Sequence, residues 1–109
     1  MKSFNYSFSE SDVKTFLCTL SIMPQIDFDG IPESQKDIND SCCLSAIEKL
    51  LNSRTDFHPN EVRVMAVSLD LSDAILQGEL EASEEIKNEL SPYVFSIKKL
   101  LPIFDVLFD

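Results

Sequence analysis

The segment PNEVRVMAVSLDLSDAILQ, residues 59–77, carries apolar side chains around most of a helical axis. Its apolar positions are Val62, Val64, Met65, Val67, Leu69, Leu71, Ile75 and Leu76. At 100° per residue, the polar residues Arg63, Asp70, Asp73 and Gln77 fall within a stripe of about 80°. A helix that is apolar nearly all round is covered by neighbours on several sides. Because Pro59 suits the first helical position and Gly78 suits the end, this segment predicts the central helix of an all-α fold.

Residues 10–23 predict an amphipathic helix that precedes the central one. Ser9 is the expected N-cap, Glu10 and Asp12 complement the helix dipole, and Pro24 ends the run. The apolar face consists of Val13, Phe16, Leu17, Leu20 and Met23. Cys18 projects to the opposite side, so the spacing predicts a surface thiol there.

Residues 24–39 predict an irregular acidic loop, because Pro24, Gly30 and Pro32 interrupt any long helix. The next helix is expected to begin near Asp40 as N-cap and to end at about Ser53. We place its start after Ile38 because that side chain falls off the apolar face. The face consists of Cys43, Leu44, Ala46, Ile47, Leu50 and Leu51.

Two further helices are predicted after residue 77. The segment GELEASEEIKNEL, residues 78–90, is mostly polar and has a thin apolar seam of Ala82, Ile86 and Leu90. Ser91 and Pro92 form a cap and first turn for the last helix. Its face consists of Tyr93, Ile97, Leu100 and Leu101. Pro102 favours a kink, but Phe104, Leu107 and Phe108 stay in phase with that face, which predicts a kinked continuation.

Together these segments predict a compact single-domain bundle of four to five helices around residues 59–77. The domain spans residues 1–109, and residues 1–9 form a short extended arm in which Phe4, Tyr6 and Phe8 alternate with polar residues. A chain of 109 residues that is 44% hydrophobic hides roughly 12,000 Å² on folding, which is enough for a core without disulfides or metals.

The net charge of −10 argues against direct binding to nucleic acid phosphates or to anionic membranes. The N-terminal sequence contains no continuous apolar run typical of a secretory signal. Three cysteines with an adjacent pair, Cys42 and Cys43, form a poor disulfide framework. A reducing cytoplasmic location with free thiols is the simplest interpretation.

Metal binding is not favoured by the sequence. Residues 27–30 resemble part of a calcium loop, but Gln25 and Lys36 occupy the positions of the two key acidic ligands. Four soft ligands also occur, but without C-x-x-C or H-x₃-H spacing. They are Cys18, Cys42, Cys43 and His58.

Catalysis is not favoured either, and we predict neither an enzyme nor a cofactor. A Cys–His nucleophile pair would depend on His58, which lies at a helix start where it caps the helix or is exposed. Asp70 and Asp73 lie one helical turn apart, a spacing that is common for solvated charges. The two glycines, Gly30 and Gly78, cannot form a phosphate-binding loop.

The negative charge is concentrated in residues 70–89, where seven acids accompany only Lys87. Carboxylates four residues apart rise about 6 Å along a helix, comparable with successive phosphates on one nucleic acid strand.

We therefore predict a non-enzymatic protein-binding module, in concrete form a small acidic inhibitor or nucleic-acid mimic of the phage or mobile-element type. Its partner would be a nucleic-acid-handling protein with a basic surface. The predicted binding residues are Glu81, Glu84, Glu85 and Glu89, supported by Asp70 and Asp73. A solvated helix whose acids maintain solubility is the competing interpretation.

Apolar residues outside the predicted faces suggest a second possibility. Phe95 lies opposite the main face of the last helix, and Ile103 and Val106 fall off its apolar stripe. Burial against a second copy would cover them. The alternative function is therefore a structural or accessory homodimer that pairs through its C-terminal helix and N-terminal arm. The residues expected to self-associate are Phe4, Tyr6, Phe8, Phe95, Ile103 and Val106.

Overall fold

The computed structural model describes residues 8–26 and 31–105. Its helices are α1 (Glu10–Ile22), α2 (Glu33–Leu51), α3 (Pro59–Gln77), the short α4 (Glu84–Leu90) and α5 (Val94–Asp105). Two 3-10 turns occur in the described ranges: Met23–Gln25 directly follows α1, and Ser91–Tyr93 joins α4 to α5. No strand occurs within these two ranges. The predicted all-α globule is confirmed.

Helix α3 lies at the centre of the bundle and packs against α1, α2, α4 and α5. Its fully buried apolar side chains face several neighbours, as the sequence predicted. They are Val62, Val64, Met65, Leu69 and Ile75. Asp70 and Gln77 of the polar stripe are exposed, while Arg63 and Asp73 are partly buried. The apolar circumference of α3 thus organises the core.

Local capping interactions fix the ends of α1 and α3. Ser9 Oγ accepts from the Asp12 amide, and Asp12 Oδ2 accepts from the Ser9 amide, both at 3.1 Å. His58 Nδ1 accepts from the Asn60 amide at 3.1 Å. Gly78 ends α3 with φ of 80°, a left-handed conformation that glycine adopts without strain. These predicted helix ends are confirmed.

Helix α2 begins at Glu33, not near Asp40, so the predicted irregular loop over residues 24–39 is wrong for its last seven residues. The early turns of α2 hold few core contacts, and Ile38 is 48% exposed. Side-chain contacts along the helix support these turns instead. Lys36 Nζ contacts Asp40 Oδ2 at 2.8 Å, and Gln35 donates to Asn39 at 3.0 Å. A helix can therefore extend beyond the residues that it buries.

The predicted core face of α2 was also too wide. Cys43, Ala46 and Leu50 are buried, and Ile47 packs partly against the core. Leu44 and Leu51, in contrast, are 67% and 66% exposed. They lie at the edge of the apolar arc, where α1 and α3 no longer cover the helix.

Helix α4 begins later than predicted. After Gly78, the amides of Glu79 and Leu80 both donate to the Ala74 carbonyl. This turn directs the chain away from the α3 axis. Ser83 then caps α4 by accepting from the Ile86 amide at 3.2 Å. Glu81 consequently precedes the helix and does not lie on it.

The C-terminal helix α5 continues through Pro102 to Asp105. Ile97, Leu100 and Phe104 are fully buried, which confirms the predicted face and its continuation past the proline as far as Phe104. Leu107 and Phe108 lie outside the described residues. Among the helices of the described ranges, none is long and apolar enough to cross a membrane.

Candidate functional site

Four exposed glutamates on and beside α4 form the strongest candidate site, which we call the acidic surface. They are Glu81, Glu84, Glu85 and Glu89. The single basic residue of α4, Lys87, lies 3.8 Å from Glu84 Oε1. The opposite side of α4 holds the buried Leu90 and the half-buried Ile86. The helix thus faces the bundle through a narrow seam and directs most of its carboxylates outward.

The sequence predicts carboxylates at intervals of four residues along a helix. Only part of this surface has that spacing. Glu85 and Glu89 remain four residues apart on α4 and are separated by about 6 Å along its axis. Glu81 lies in the irregular segment before the helix, so it does not extend that spacing. Two supporting residues lie on α3, where Asp70 is exposed and Asp73 is half-buried.

A pocket of about 380 Å³ adjoins the acidic surface. It lies between the C-terminal end of α3 and α4. Glu84, Lys87 and Asn88 contribute to one side, and Gln77 and Gly78 contribute to the other. Of the four glutamates, only Glu84 lines this pocket, so the acidic surface meets it at one residue.

Residues predicted to self-associate occupy different environments. Phe8 packs between core aromatics, with its ring centre 5.6 Å from that of Phe16 and 5.8 Å from that of Phe57. Ile103 is half-buried against the core. Phe95 is 85% exposed. Phe4, Tyr6 and Val106 lie outside the described residues.

A buried ionic cluster, which the sequence pattern does not predict, lies between α2 and the start of α3. The Glu61 side chain is only 4% exposed, and its Oε1 lies 2.5 Å from Lys49 Nζ. The His58 amide donates to the same oxygen at 2.6 Å, and the Ser45 hydroxyl donates to Oε2. The available signal was Glu61 at the third helical position after His58, a spacing typical of a capping box.

The environment of Glu61 keeps it ionised. Burial would raise its pKa, but the hydrogen bonds from Lys49, Ser45 and the His58 amide together hold its pKa below the ordinary value. The Glu61 carboxylate thus accepts from three donors, namely the Lys49 amine, the Ser45 hydroxyl and the His58 amide. The cluster joins α2 to His58 and to the start of α3. Its role is structural.

A second ion pair fastens α5 to α1. Asp12 is buried, and Lys99 Nζ lies 2.9 Å from its Oδ1. The other oxygen of Asp12 accepts from the Ser9 amide. The sequence predicts for Asp12 only a favourable interaction with the α1 dipole. In the structure, Asp12 also links α5 to α1 through this ion pair.

Two of the three cysteines lie in environments that disfavour the thiolate form. Burial, with a smaller contribution from Glu89, raises the pKa of Cys18 to about 11. Burial, followed by Asp40 and Cys42, raises the pKa of Cys43 to about 12. Cys18 is half-buried and donates to the Glu89 carbonyl at 3.6 Å, so it lies between the predicted surface position and the core. Cys43 is fully buried, as predicted.

No group of three or more potential metal ligands comes together in the part of the chain that the structure describes. Residues 27–30, which resemble part of a calcium loop, lie outside that part.

Comparison with known proteins adds no relative: no family model, curated protein or solved structure matches this chain.

Proposed function

We propose that this chain is a non-enzymatic protein-binding module whose acidic surface binds a basic partner. The observation that carries the proposal is the exposure of Glu81, Glu84, Glu85 and Glu89 around a single lysine. Core packing does not account for these four exposed glutamates, because α4 buries only one of its side chains fully. Carboxylates held at fixed positions attract a basic protein electrostatically and orient it.

The partner proposed here is a nucleic-acid-handling protein, and the chain acts as an inhibitor that occupies its basic groove. Glu85 and Glu89 carry the phosphate-like spacing, and Glu81 and Glu84 add charge beside them. Asp70 and Asp73 extend the negative potential onto α3. Such binding neutralises the chain's excess charge while it excludes nucleic acid from the groove.

The proposed absence of catalysis is supported by the groups that chemistry would need. The raised pKa values of Cys18 and Cys43 leave little thiolate at neutral pH. The Nδ1 atom of His58 is engaged as a helix cap. Glu61 already pairs with Lys49.

The proposal is tested by capture of partners on the immobilised chain from an extract of the source organism. We expect a basic nucleic-acid-handling protein to bind at low salt and to dissociate as the salt is raised. Added duplex DNA or RNA should displace the captured protein by competing for its groove. A partner that binds equally at all salt concentrations, and that nucleic acid does not displace, would contradict this function.

A homodimer remains the second candidate function, and the exposure of Phe95 supports it. Phe95 lies on the outer side of α5, where Lys98 and Pro102 are also exposed. Sedimentation of the unsubstituted chain and of Phe95→Ala tests this candidate. Concentration-dependent dimers that the substitution dissociates support it, whereas a monomer at high concentration excludes it.

A further inference from the structure

The outer face of α2 combines exposed leucines with carboxylates, and we call it the α2 stripe. At 100° per residue, seven residues of α2 fall within an arc of about 100°. They are Glu33, Asp37, Asp40, Leu44, Ile47, Glu48 and Leu51. The arc contains no lysine or arginine. Its N-terminal half is acidic and its C-terminal half is mostly apolar.

The apolar half of the α2 stripe has the spacing of a helix-packing seam. Leu44, Ile47 and Leu51 follow one another at intervals of three and four residues, as in a heptad repeat. Ile47 is partly buried, but Leu44 and Leu51 remain 67% and 66% exposed. Two exposed leucines about two turns apart in one seam form a site for another helix to pack against.

Three carboxylates of the α2 stripe are available to an external cation: Glu33 and Asp37 in its acidic half, and Glu48 among the leucines. Among the described residues, no lysine, arginine or histidine lies within ion-pair distance of Glu33, Asp37 or Glu48. All three side chains are exposed. Only Asp40 is paired, with Lys36. A partner that covers the leucines therefore meets three exposed carboxylates that form no ion pair within the described residues, although Arg54 lies near Glu48 beyond ion-pair distance.

We propose that the α2 stripe binds a basic amphipathic helix of another protein. Apolar side chains of that helix would cover Leu44 and Leu51, and its lysines or arginines would pair with Glu33, Asp37 and Glu48. The stripe extends over 19 residues of α2, so it matches a partner helix of about 27 Å.

A second copy of this chain fits the α2 stripe poorly. A two-fold axis between Leu44 and Leu51 brings the two Glu48 carboxylates together. A parallel arrangement places every acid of the stripe beside its own equivalent. Neither arrangement supplies a base from the arc. The charge therefore favours a basic partner over self-association.

The α2 stripe is distinct from the acidic surface. Helices α2 and α4 each pack against α1 and α3, and the stripe has an apolar seam that α4 lacks. The inference does not depend on the proposed inhibitor function. Either surface can be disabled while the other is left intact.

The test uses a fluorescent synthetic helix of leucine and lysine with its leucines at heptad spacing. A peptide of the same composition in scrambled order serves as the probe control, because it has equal charge without an apolar stripe. We expect the full chain to bind the amphipathic peptide at least about tenfold more tightly than the scrambled one, as two buried leucine anchors would provide. Equal binding of the two peptides would overturn the proposal.

Variants of the chain locate the binding. Leu44→Ala with Leu51→Ala should abolish the preference for the amphipathic peptide, whereas Ile38→Ala, another exposed apolar residue of α2, should retain it. E84K/E85K should also retain it. Loss of the preference in either control, or its survival in the double alanine variant, would show that the peptide docks elsewhere and would contradict the proposal.

NMR distinguishes a free stripe from one that is already covered. Methyl signals of Leu44 and Leu51 in the free chain should broaden in the presence of a soluble paramagnetic agent, and this broadening should decrease when the amphipathic peptide binds. If the methyls are protected without peptide, another part of the chain or a second copy covers them, and the proposal is wrong. Sedimentation of L44A/L51A then separates these two occupants.

Discussion

Glu61 shows how a single buried carboxylate can hold three parts of the chain together. It accepts hydrogen bonds from Lys49 and Ser45 of α2 and from the backbone of His58. A buried charge is costly without such partners, and removal of one partner leaves the others unsatisfied. Lys49 is separated from Glu61 by 12 residues in sequence, so no local pattern could predict this contact.

Glu61→Gln should destabilise the fold by about 1–3 kcal/mol at neutral pH, because it removes the charge that Lys49 and the His58 amide share. The free energy of unfolding in urea measures the effect. Glu48→Gln is the matched control, since Glu48 is an exposed glutamate on α2. An equal loss in both variants would contradict the assigned role of Glu61.

The same variant predicts a pH dependence. The folded-state pKa of Glu61 lies below its ordinary value, so its contribution to stability is fully present above about pH 4.3. That contribution is lost as the pH falls through the folded-state pKa. The difference in unfolding free energy between the unsubstituted chain and Glu61→Gln should therefore shrink in acid. A constant difference at all pH values would contradict the pKa assignment.

At the scale of helices, sequence predicts best where the determinants are local. The ends of α1 and α3 follow from Ser9, Pro59 and Gly78, and the apolar circumference of α3 follows from its sequence alone. The start of α2 was missed because its first turns are supported by contacts such as Lys36–Asp40 and bury little. The exposure of Leu44 and Leu51 depends on how far neighbouring helices extend, which periodicity does not specify.

Gly78→Ala should cost about 1–2 kcal/mol of stability, because alanine disfavours the left-handed conformation at the end of α3. Apart from Gly78 itself and its neighbours Gln77 and Glu79, no atom of the described residues lies within 4 Å of the added methyl group, so the cost arises from the backbone and not from a clash. Gly78→Asn should cost less, since asparagine tolerates this conformation better. Urea unfolding of the two variants measures the difference, and equal losses would argue against a backbone origin.

Two leucines on α2 provide a test of its orientation. Leu44→Ala should change the free energy of unfolding by less than about 0.5 kcal/mol, because the side chain is mostly exposed. Leu50→Ala should cost about 2–5 kcal/mol, because it leaves a cavity in the core. Thermal or urea unfolding compares them directly. A larger loss at Leu44 than at Leu50 would show that α2 presents a different face to the bundle.

At the scale of the whole molecule, eight of the 19 acidic residues lie in two regions on different helices. The acidic surface lies on and beside α4, and the α2 stripe combines carboxylates with leucines. The sequence predicted the exposed carboxylates of the first region, because polar runs rarely enter a core. It did not predict that Glu81 precedes α4 or that Glu33, Asp37 and Glu48 share a face with exposed leucines. Both findings depend on where α2 and α4 begin and on how the helices pack, which only the structure shows.

The affinity of charge-reversed variants for the captured basic partner tests the proposed protein-binding function most directly. E84K/E85K and the control E10K/D56K change the net charge equally, and all four substituted residues are exposed. Both variants are first verified as folded by circular dichroism. E84K/E85K should weaken binding at low salt by at least about tenfold, mainly through slower association, and E10K/D56K should change it little. Unchanged affinity of E84K/E85K, or an equal loss in both variants, would contradict a specific role for the acidic surface.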